Sequence, residues 1–304
     1  MKNIKYVFMV LLGGIMYGTM SSFVKMSYAQ GYTAAQLSFW QAFLAFVILA
    51  VCTFMSHKKG VDTQGMDVLP LFLTGSAIGL TNFLYYLSVA YIPASLAIIL
   101  LMQFTWLDLL IERLVFNRKA SKEELFAVAI IMAGTVMASG ILSAEMEGVP
   151  IIGIVLALGA SFTYAIYIVA NGRCGRNAKW QSKSMSIMGG SALTILLVNG
   201  GSQLNLDYFD FDFIMWGLFL AVIGTTIPTA LFAVGIPKIG VGLSAILMSV
   251  ELPVAVLCAH LVLAEELSTI QMCGVFVMLM AIATMNYYKF KKHKSNVLYQ
   301  RNKE

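Results

Sequence analysis

Apolar residues along this chain come in blocks of about 20, the length an α-helix needs to cross the hydrocarbon core of a bilayer. Ten blocks are legible, at residues 6–27, 34–55, 69–90, 93–114, 123–142, 151–171, 184–201, 213–235, 239–262 and 267–288. With their short connections they use up the chain. The pattern predicts an all-α integral membrane protein with ten transmembrane helices and no separate soluble domain.

The blocks repeat. Sliding the chain over itself by 147 positions brings Tyr17 onto Tyr164, Leu71-Phe72-Leu73 onto Leu218-Phe219-Leu220, Ile92 onto Ile239, Leu114-Val115 onto Leu261-Val262 and Ser121 onto Ser268, without a gap. Five spans is an odd number, so the second set must enter the membrane from the opposite side. The prediction is therefore two inverted five-helix repeats, over 1–147 and 148–288, followed by a basic tail over 289–304. Inverted repeats typify secondary transporters, which hold substrate near the midplane between repeats.

Composition agrees: 59% of residues are hydrophobic and 12% charged, against about a quarter charged in a soluble domain. Lys2 and Lys5 precede the first block, but no small-residue cleavage site follows it, so it reads as a retained helix. Cys52, Cys174, Cys258 and Cys273 lack C-x-x-C spacing, so neither a metal site nor a disulfide framework is indicated, and no cofactor is expected.

The net charge of +5 sorts by loop. One side of the membrane holds Lys2, Lys5, Lys58, Lys59, Arg113, Arg118, Lys119, Lys122, Arg173, Arg176, Lys179, Lys183, Lys238 and the tail from Lys289; the other holds Glu145, Glu147, Asp207, Asp210, Asp212, Glu265 and Glu266. Positive-inside bias then puts both termini in the cytoplasm, with the protein in the plasma or inner membrane. The tail "KFKKHK" suits an anionic leaflet. The expected partners are a small-molecule substrate and membrane lipid, not nucleic acid, with oligomeric state open.

Polar residues inside the blocks share helical faces. Gly14, Tyr17, Gly18, Ser21 and Lys25 recur at steps of three and four in the first block, and Gly75, Gly79, Asn82 and Tyr86 do so in the third, with Tyr85 beside them. The sixth adds Tyr164, Tyr167 and Asn171, and the eighth adds Thr225 and Thr229 around Pro228, which frees the Gly224 carbonyl. Gln103 and Trp106 share a face of the fourth, and the repeat offset sets Gln103 opposite Val250.

The ninth block contains "SVELPVAV", residues 249–256. A mid-span carboxylate costs about 3 kcal/mol on insertion scales, so Glu251 should face the protein interior or a wet cavity. Pro253 lacks the N–H that would bond the Ser249 carbonyl.

The candidate substrate cavity is thus Tyr17, Asn82, Tyr86, Gln103, Trp106, Tyr164, Tyr167, Thr225, Thr229 and Glu251, with Glu251 also the candidate for proton coupling. Lys25, Asp108 and Glu112 are candidates for a gate or charge cluster. Plainer readings stand beside these. The glycine pairs suit close helix packing, Lys25 suits a snorkelling lysine, and Asp108 and Glu112 suit a structural inner gate better than a substrate site. Glu251 also suits a buried hydrogen-bonded structural role. "GVGLSA", residues 240–245, matches a dinucleotide-binding pattern but opens a membrane helix instead of following a strand, so it carries no such meaning.

The chain resembles the EamA-type transporters of the drug/metabolite transporter superfamily, which carry two repeats of five helices. The likeness rests on "YGTMSSFVK" (17–25), on "LMSVELPVAVLCAHLVLAEELS" (247–268) with its glutamate, proline and closing Glu265, and on the matching "LMQFTWLDLLIERLVFNRKAS" (101–121). Many relatives carry an arginine early in the second helix where this chain has Gln41, and here Leu252 separates Glu251 from Pro253. The resemblance implies export of amino acids, other metabolites or xenobiotics without choosing among them.

The expected function is a secondary transporter, an exporter of small organic metabolites such as neutral, zwitterionic or aromatic amino acids. A multidrug or cation exporter of the same fold is the alternative. An intramembrane enzyme would need a catalytic constellation, and neither H-E-x-x-H nor G-x-S-x-G occurs. A pore-like channel fits the inverted repeat poorly. Phosphorylated substrates need a basic clamp, and Lys25 is the one basic residue within the expected spans away from their cytoplasmic ends.

Overall fold

The computed structural model describes residues 4–57, 68–138, 150–201, 203, 210–264 and 268–301, and no strand occurs among them. In chain order the helices are α1 (Ile4–Tyr28), α2 (Ala34–His57), α3 (Val68–Tyr91), α4 (Ala94–Leu101), α5 (Phe104–Phe116), α6 (Lys122–Ala138), α7 (Ile151–Arg173), α8 (Trp180–Val198), α9 (Phe211–Ala221), α10 (Ile227–Ile239), α11 (Val241–Met248), α12 (Glu251–Leu263) and α13 (Thr269–Arg301). Residues 289–301 continue α13, so the basic tail is largely a helical extension. Lys2, Lys58, Lys59, Glu145, Glu147, Asp207, Glu265 and Glu266 lie outside the described residues.

Among the described residues, six stretches are long and apolar enough to cross a membrane: Ile4–Tyr28, Ala34–Ser56, Val68–Tyr91, Ile151–Arg173, Phe211–Ile239 and Val241–Leu263. Of the other expected spans, the fourth is covered by α4 and α5 together, α6 is described over 17 residues, and α8 opens on the polar run Gln181–Ser184.

Helix starts follow sequence chemistry. Thr33/Gln36, Ser121/Glu124 and Ser268/Gln271 each form a reciprocal capping box, the hydroxyl accepting from one backbone N–H and the longer side chain accepting from the other. Two of these boxes are 147 residues apart, and the coincidence extends through the fold. α4 and α11, α5 and α12, and the first residues of α1 and α7 and of α6 and α13 are all related by that offset. So are the left-handed caps Asn117 (φ 52°) and Ala264 (φ 55°) that end α5 and α12.

Both the expected fourth and ninth spans break at the same level. At Met102-Gln103 and Ser249-Val250 the α bonds give way to tighter i→i−3 bonds, Gln103 N–H to Leu100 O and Val250 N–H to Leu247 O. Pro253 therefore sits in the first turn of α12, where no intrahelical donor is required. The Ser249 carbonyl, expected to be free, accepts from Leu252 N–H at 3.3 Å. Trp106 occupies the matching position of α5, so proline is not the sole cause of the break. At the eighth span the backbone absorbs Pro228 by a π-turn over Val222–Thr226, with Ile227 N–H bonding Val222 O.

Packing is reciprocal between the halves. α3 lies on α7 as α10 lies on α1, α5 lies on α7 as α12 lies on α1, α2 pairs with α8, and α6 pairs with α13. The α3–α8 crossing needs glycine. A Cβ at Gly75 would overlap the Ile187 carbonyl, and one at Gly190 the Phe72 carbonyl. Direction is also fixed by contacts. Gly235 of α10 faces Tyr6 and Val10 near the start of α1, while nearby Ile236 faces Gly172 near the end of α7, so α1 and α7 run in opposite directions.

Candidate functional site

α1, α7, α10 and the broken helix α11–α12 meet at the centre of the bundle. Gly18 brings α1 so close to the start of α12 that a Cβ there would lie 2.6 Å from the Glu251 carbonyl oxygen. The break at Ser249-Val250 makes Glu251 the first residue of α12, which turns its side chain inward to 2% exposure. The Tyr164 hydroxyl donates to Glu251 Oε1 at 2.6 Å. Among the described residues no Lys, Arg or His pairs with this carboxylate.

Aromatic rings wall the group. Tyr17 meets Tyr164 edge-on at 6.4 Å and Phe232 at 5.4 Å, Phe104 meets Tyr164 edge-on at 4.8 Å, and Tyr167 stacks parallel to Tyr164 at 6.1 Å. Tyr17, Tyr85 and Tyr167 lie within electrostatic reach of Glu251. Asn171 Nδ2 donates to the Tyr167 hydroxyl at 3.1 Å, and the Tyr86 hydroxyl donates to Gln41 Oε1 at 3.0 Å. The Tyr17 hydroxyl lies against Thr229 and the Tyr85 hydroxyl against Ser21, contacts that fall short of full hydrogen-bond geometry, and Asn171 Oδ1 is buried without a hydrogen-bond partner. Buried polar atoms are ordinarily hydrogen-bonded, to protein or to water, so this centre is the polar part of an otherwise apolar bundle.

Of the expected cavity residues, Tyr17, Tyr164, Tyr167 and Glu251 form one cluster. Thr229 is buried against the Tyr17 hydroxyl, Tyr86 serves Gln41, and the Thr225 hydroxyl in the π-turn donates to the Leu220 carbonyl of α9 at 3.1 Å. Asn82 is half-buried. Trp106 is placed elsewhere: it is 41% exposed on the outer wall of α5, and its N–H is taken by Gln103 Oε1 at 2.9 Å. Gln103 is thereby committed to Trp106 and, through Nε2, to the Ile99 carbonyl.

Phe104, Phe232 and Tyr85 were absent from the expected cavity. The offset signals all three, because Phe104 is the repeat mate of Glu251, and Tyr85 and Phe232 are mates of each other. Tyr17 and Tyr164, also mates at that offset, meet directly.

A second network closes the end of the bundle beside the α7 C-terminus. Glu112, 2% exposed, accepts from Arg118 through one carboxylate oxygen and from Arg173 through the other. Arg118 also forks onto Glu124 at 2.9 and 3.1 Å, and the Arg173 guanidinium lies 3.8 Å over the Phe116 ring. Lys183, buried at the start of α8, donates to the Asn171 carbonyl at 2.6 Å and so caps the last turn of α7. Asp108, one turn before Glu112, is fully buried with both oxygens unpartnered. Lys25, half-buried in the last turn of α1, lies at the opposite end of the bundle and is not part of this network.

Near Lys25 the other end is tied by Tyr32, whose hydroxyl donates to Asp210 Oδ1 at 3.0 Å, and by Trp216, whose N–H donates to Gln30 Oε1 at 2.6 Å. Asp210 caps α9 by accepting from Phe213 N–H at 2.7 Å. That N–H, with the Tyr32 hydroxyl, holds the Asp210 carboxyl below the usual carboxylate range.

The family model described as the EamA-like transporter family matches this chain twice, over residues 4–140 and 151–287. The chain belongs to the EamA-like transporter family. It is a multi-pass membrane protein of a transporter family, not of an enzyme family. The two matched segments are themselves 147 residues apart at both ends. The chain is 25% identical over 299 residues to the uncharacterized transporter YcbK of Bacillus subtilis, covering 94% of each. It is 28% identical over 204 residues to the threonine/homoserine exporter RhtA of Escherichia coli K12, covering 67% of this chain and 66% of that one. A solved crystal structure 14% identical shares the fold, with a TM-score of 0.68 over 91% of this chain and 95% of the other.

Proposed function

We propose that this transporter exports small organic metabolites carrying an amino group, amino acids first among them, by alternating access between two inverted five-helix repeats. The observation that carries the reading is Glu251: a buried carboxylate at a helix break between the halves, with one tyrosine hydroxyl on it and no cation beside it. An ammonium group suits that carboxylate and the tyrosine faces around it. The weakly engaged hydroxyls of Tyr17, Tyr85 and Thr229 and the open Asn171 Oδ1 suit the rest of a small polar molecule. The threonine/homoserine exporters among its relatives support the amino-acid class. The opposite run of α1 and α7 and the reciprocal packing support the inverted repeat.

In this reading the Glu112–Arg173 and Arg118–Glu124 pairs hold one end closed, and opening that end parts α5 from α7. Glu251 takes a proton or a substrate ammonium alternately, which couples export to the proton gradient. Both termini face the cytoplasm in the cell membrane. A cysteine at Asp210 then reacts with an impermeant reagent added outside intact cells, and one at Lys179 does not.

The test is Glu251→Gln, which keeps shape but does not titrate, in proteoliposomes loaded with radiolabelled threonine, with and without a pH gradient. The mutant, having lost the charge that pairs with the ammonium, exchanges threonine only at higher substrate concentration and ignores the gradient; an unchanged gradient response removes Glu251 from coupling. The second reading, a cation or multidrug exporter, is favoured by the aromatic wall alone. It predicts that a lipophilic cation competes with threonine more strongly than homoserine does.

A further inference from the structure

Between α5 and α6 the surface holds a groove of about 430 Å³ that the transport reading does not use. Its wall is apolar, with Trp106, Leu109 and Leu110 on α5 and Leu125 and Val128 on α6. Trp106, Leu110 and Leu125 are 41%, 42% and 55% exposed. Its rim carries Arg113 and Lys119, both exposed and, among the described residues, unpaired.

What sets the groove apart is that its cations border an apolar slot. Arg118 and Arg173, a few residues away, are consumed by buried carboxylates. The two helices share a short hairpin through Asn117, but α6 packs on α13 and α5 on α7, so the consecutive pair splays apart. From Trp106 to Arg113 the groove runs about 10 Å along the helix axis. The second half does not repeat it: Arg113 matches His260 and Trp106 matches Pro253, so the basic rim belongs to the first half alone.

We propose that this groove is a binding site for one anionic phospholipid, its phosphate held between Arg113 and Lys119 and one acyl chain laid along Leu109, Leu110 and Leu125 against Trp106. The charge pattern selects the occupant. Two free cations at the end of an apolar slot match a phosphodiester joined to a hydrocarbon chain. A zwitterionic headgroup adds a cation that the rim repels, and a free anion leaves the apolar slot unfilled. The proposal does not depend on what the protein transports.

Full-length protein is reconstituted in phosphatidylcholine vesicles doped with either phosphatidylglycerol or phosphatidylcholine carrying brominated acyl chains, which quench nearby tryptophan fluorescence. The Trp106 signal is the difference between wild type and Trp106→Phe. Phosphatidylglycerol should quench it at a roughly 30-fold lower mole fraction than phosphatidylcholine, from about fivefold per cation. Arg113→Gln and Lys119→Gln each cost about fivefold, and together they remove the preference. Lys122→Gln, exposed at the same end but outside the groove, should change it less than twofold.

Equal quenching by both lipids overturns the proposal, as does a preference that survives the double substitution. Suppression of the excess by soluble glycerol phosphate would make this a simple anion site and overturns it too. Absence of quenching by either lipid would mean that a second copy or another protein segment covers the groove, with the same consequence.

Discussion

The contact most exposed to test is the hydrogen bond from Tyr164 to Glu251. Tyr164→Phe removes a single oxygen and leaves the ring that packs on Phe104, Tyr17 and Tyr167. Both partners are at 2% exposure, so water cannot replace the lost donor. At 2.6 Å the bond falls in the short range typical of a hydroxyl on a carboxylate. Bonds to charged groups contribute about 1.5–3 kcal/mol, against about 1 kcal/mol for neutral pairs. A buried acceptor left without its donor costs about 1–3 kcal/mol, and we expect Tyr164→Phe to cost that much unfolding free energy in detergent micelles. In a Glu251→Leu background, with no acceptor left, the same substitution should cost about 0.5 kcal/mol or less. In a Glu251→Gln background, where a neutral acceptor remains, it should cost about half the wild-type value. Equal costs in the wild-type and Glu251→Leu backgrounds would mean that the hydroxyl does not serve the carboxylate, and the site as described would be wrong.

Gly75→Val should destabilise the α3–α8 crossing by about 3 kcal/mol or more, because its Cβ meets the Ile187 backbone carbonyl, which has no rotamer to yield. Gly159→Ala, whose Cβ meets Leu84 at an ordinary 3.4 Å, should leave the detergent melting temperature unchanged. Arg118→Met takes one cation from Glu124 and one from Glu112 and, since the Arg118 side chain is itself 35% exposed, should cost about 1–3 kcal/mol by the same melt. Arg118→Lys should recover only part, since a single ammonium does not fork onto two carboxylates. Asp210 has its carboxyl held low by Phe213 N–H and Tyr32, so the stability it contributes is present above the ordinary carboxylate value of about 4 and is lost as pH falls through its lower folded value. Wild type should therefore lose more melting temperature than Asp210→Asn on acidification through that range; equal losses would contradict the assignment.

Much of this architecture is legible in the chain itself, because bilayer hydrocarbon forces long apolar runs into helices and leaves few alternatives. The ten blocks and the offset of 147 residues both come from linear pattern, and the offset reappears in helix boundaries, capping boxes and left-handed caps because these are local chemistry. Glu251 and Tyr164 were legible as polar anomalies within apolar runs. That they share a hydrogen bond was not, since their meeting depends on how α1, α7 and α12 cross.

Tertiary structure decided what periodicity leaves open. A helical face says which residues lie together, not whether the face turns to a neighbour or to lipid; Gln103 and Trp106 share a face that turns outward. The breaks at Met102-Gln103 and Ser249-Val250 shift the register of everything after them, and proline marks only one of the two. They also return the Ser249 carbonyl to a bonded state that counting by four from Pro253 does not foresee. Lys25 parted from Asp108 and Glu112 for a simpler reason: α1 and α5 end on opposite sides of the bundle, and charge type carries no information about depth. Arg118 and Arg173 are sorted onto buried carboxylates while Arg113 and Lys119 remain on a groove, because only packing determines which cations meet a carboxylate and which are left on the surface.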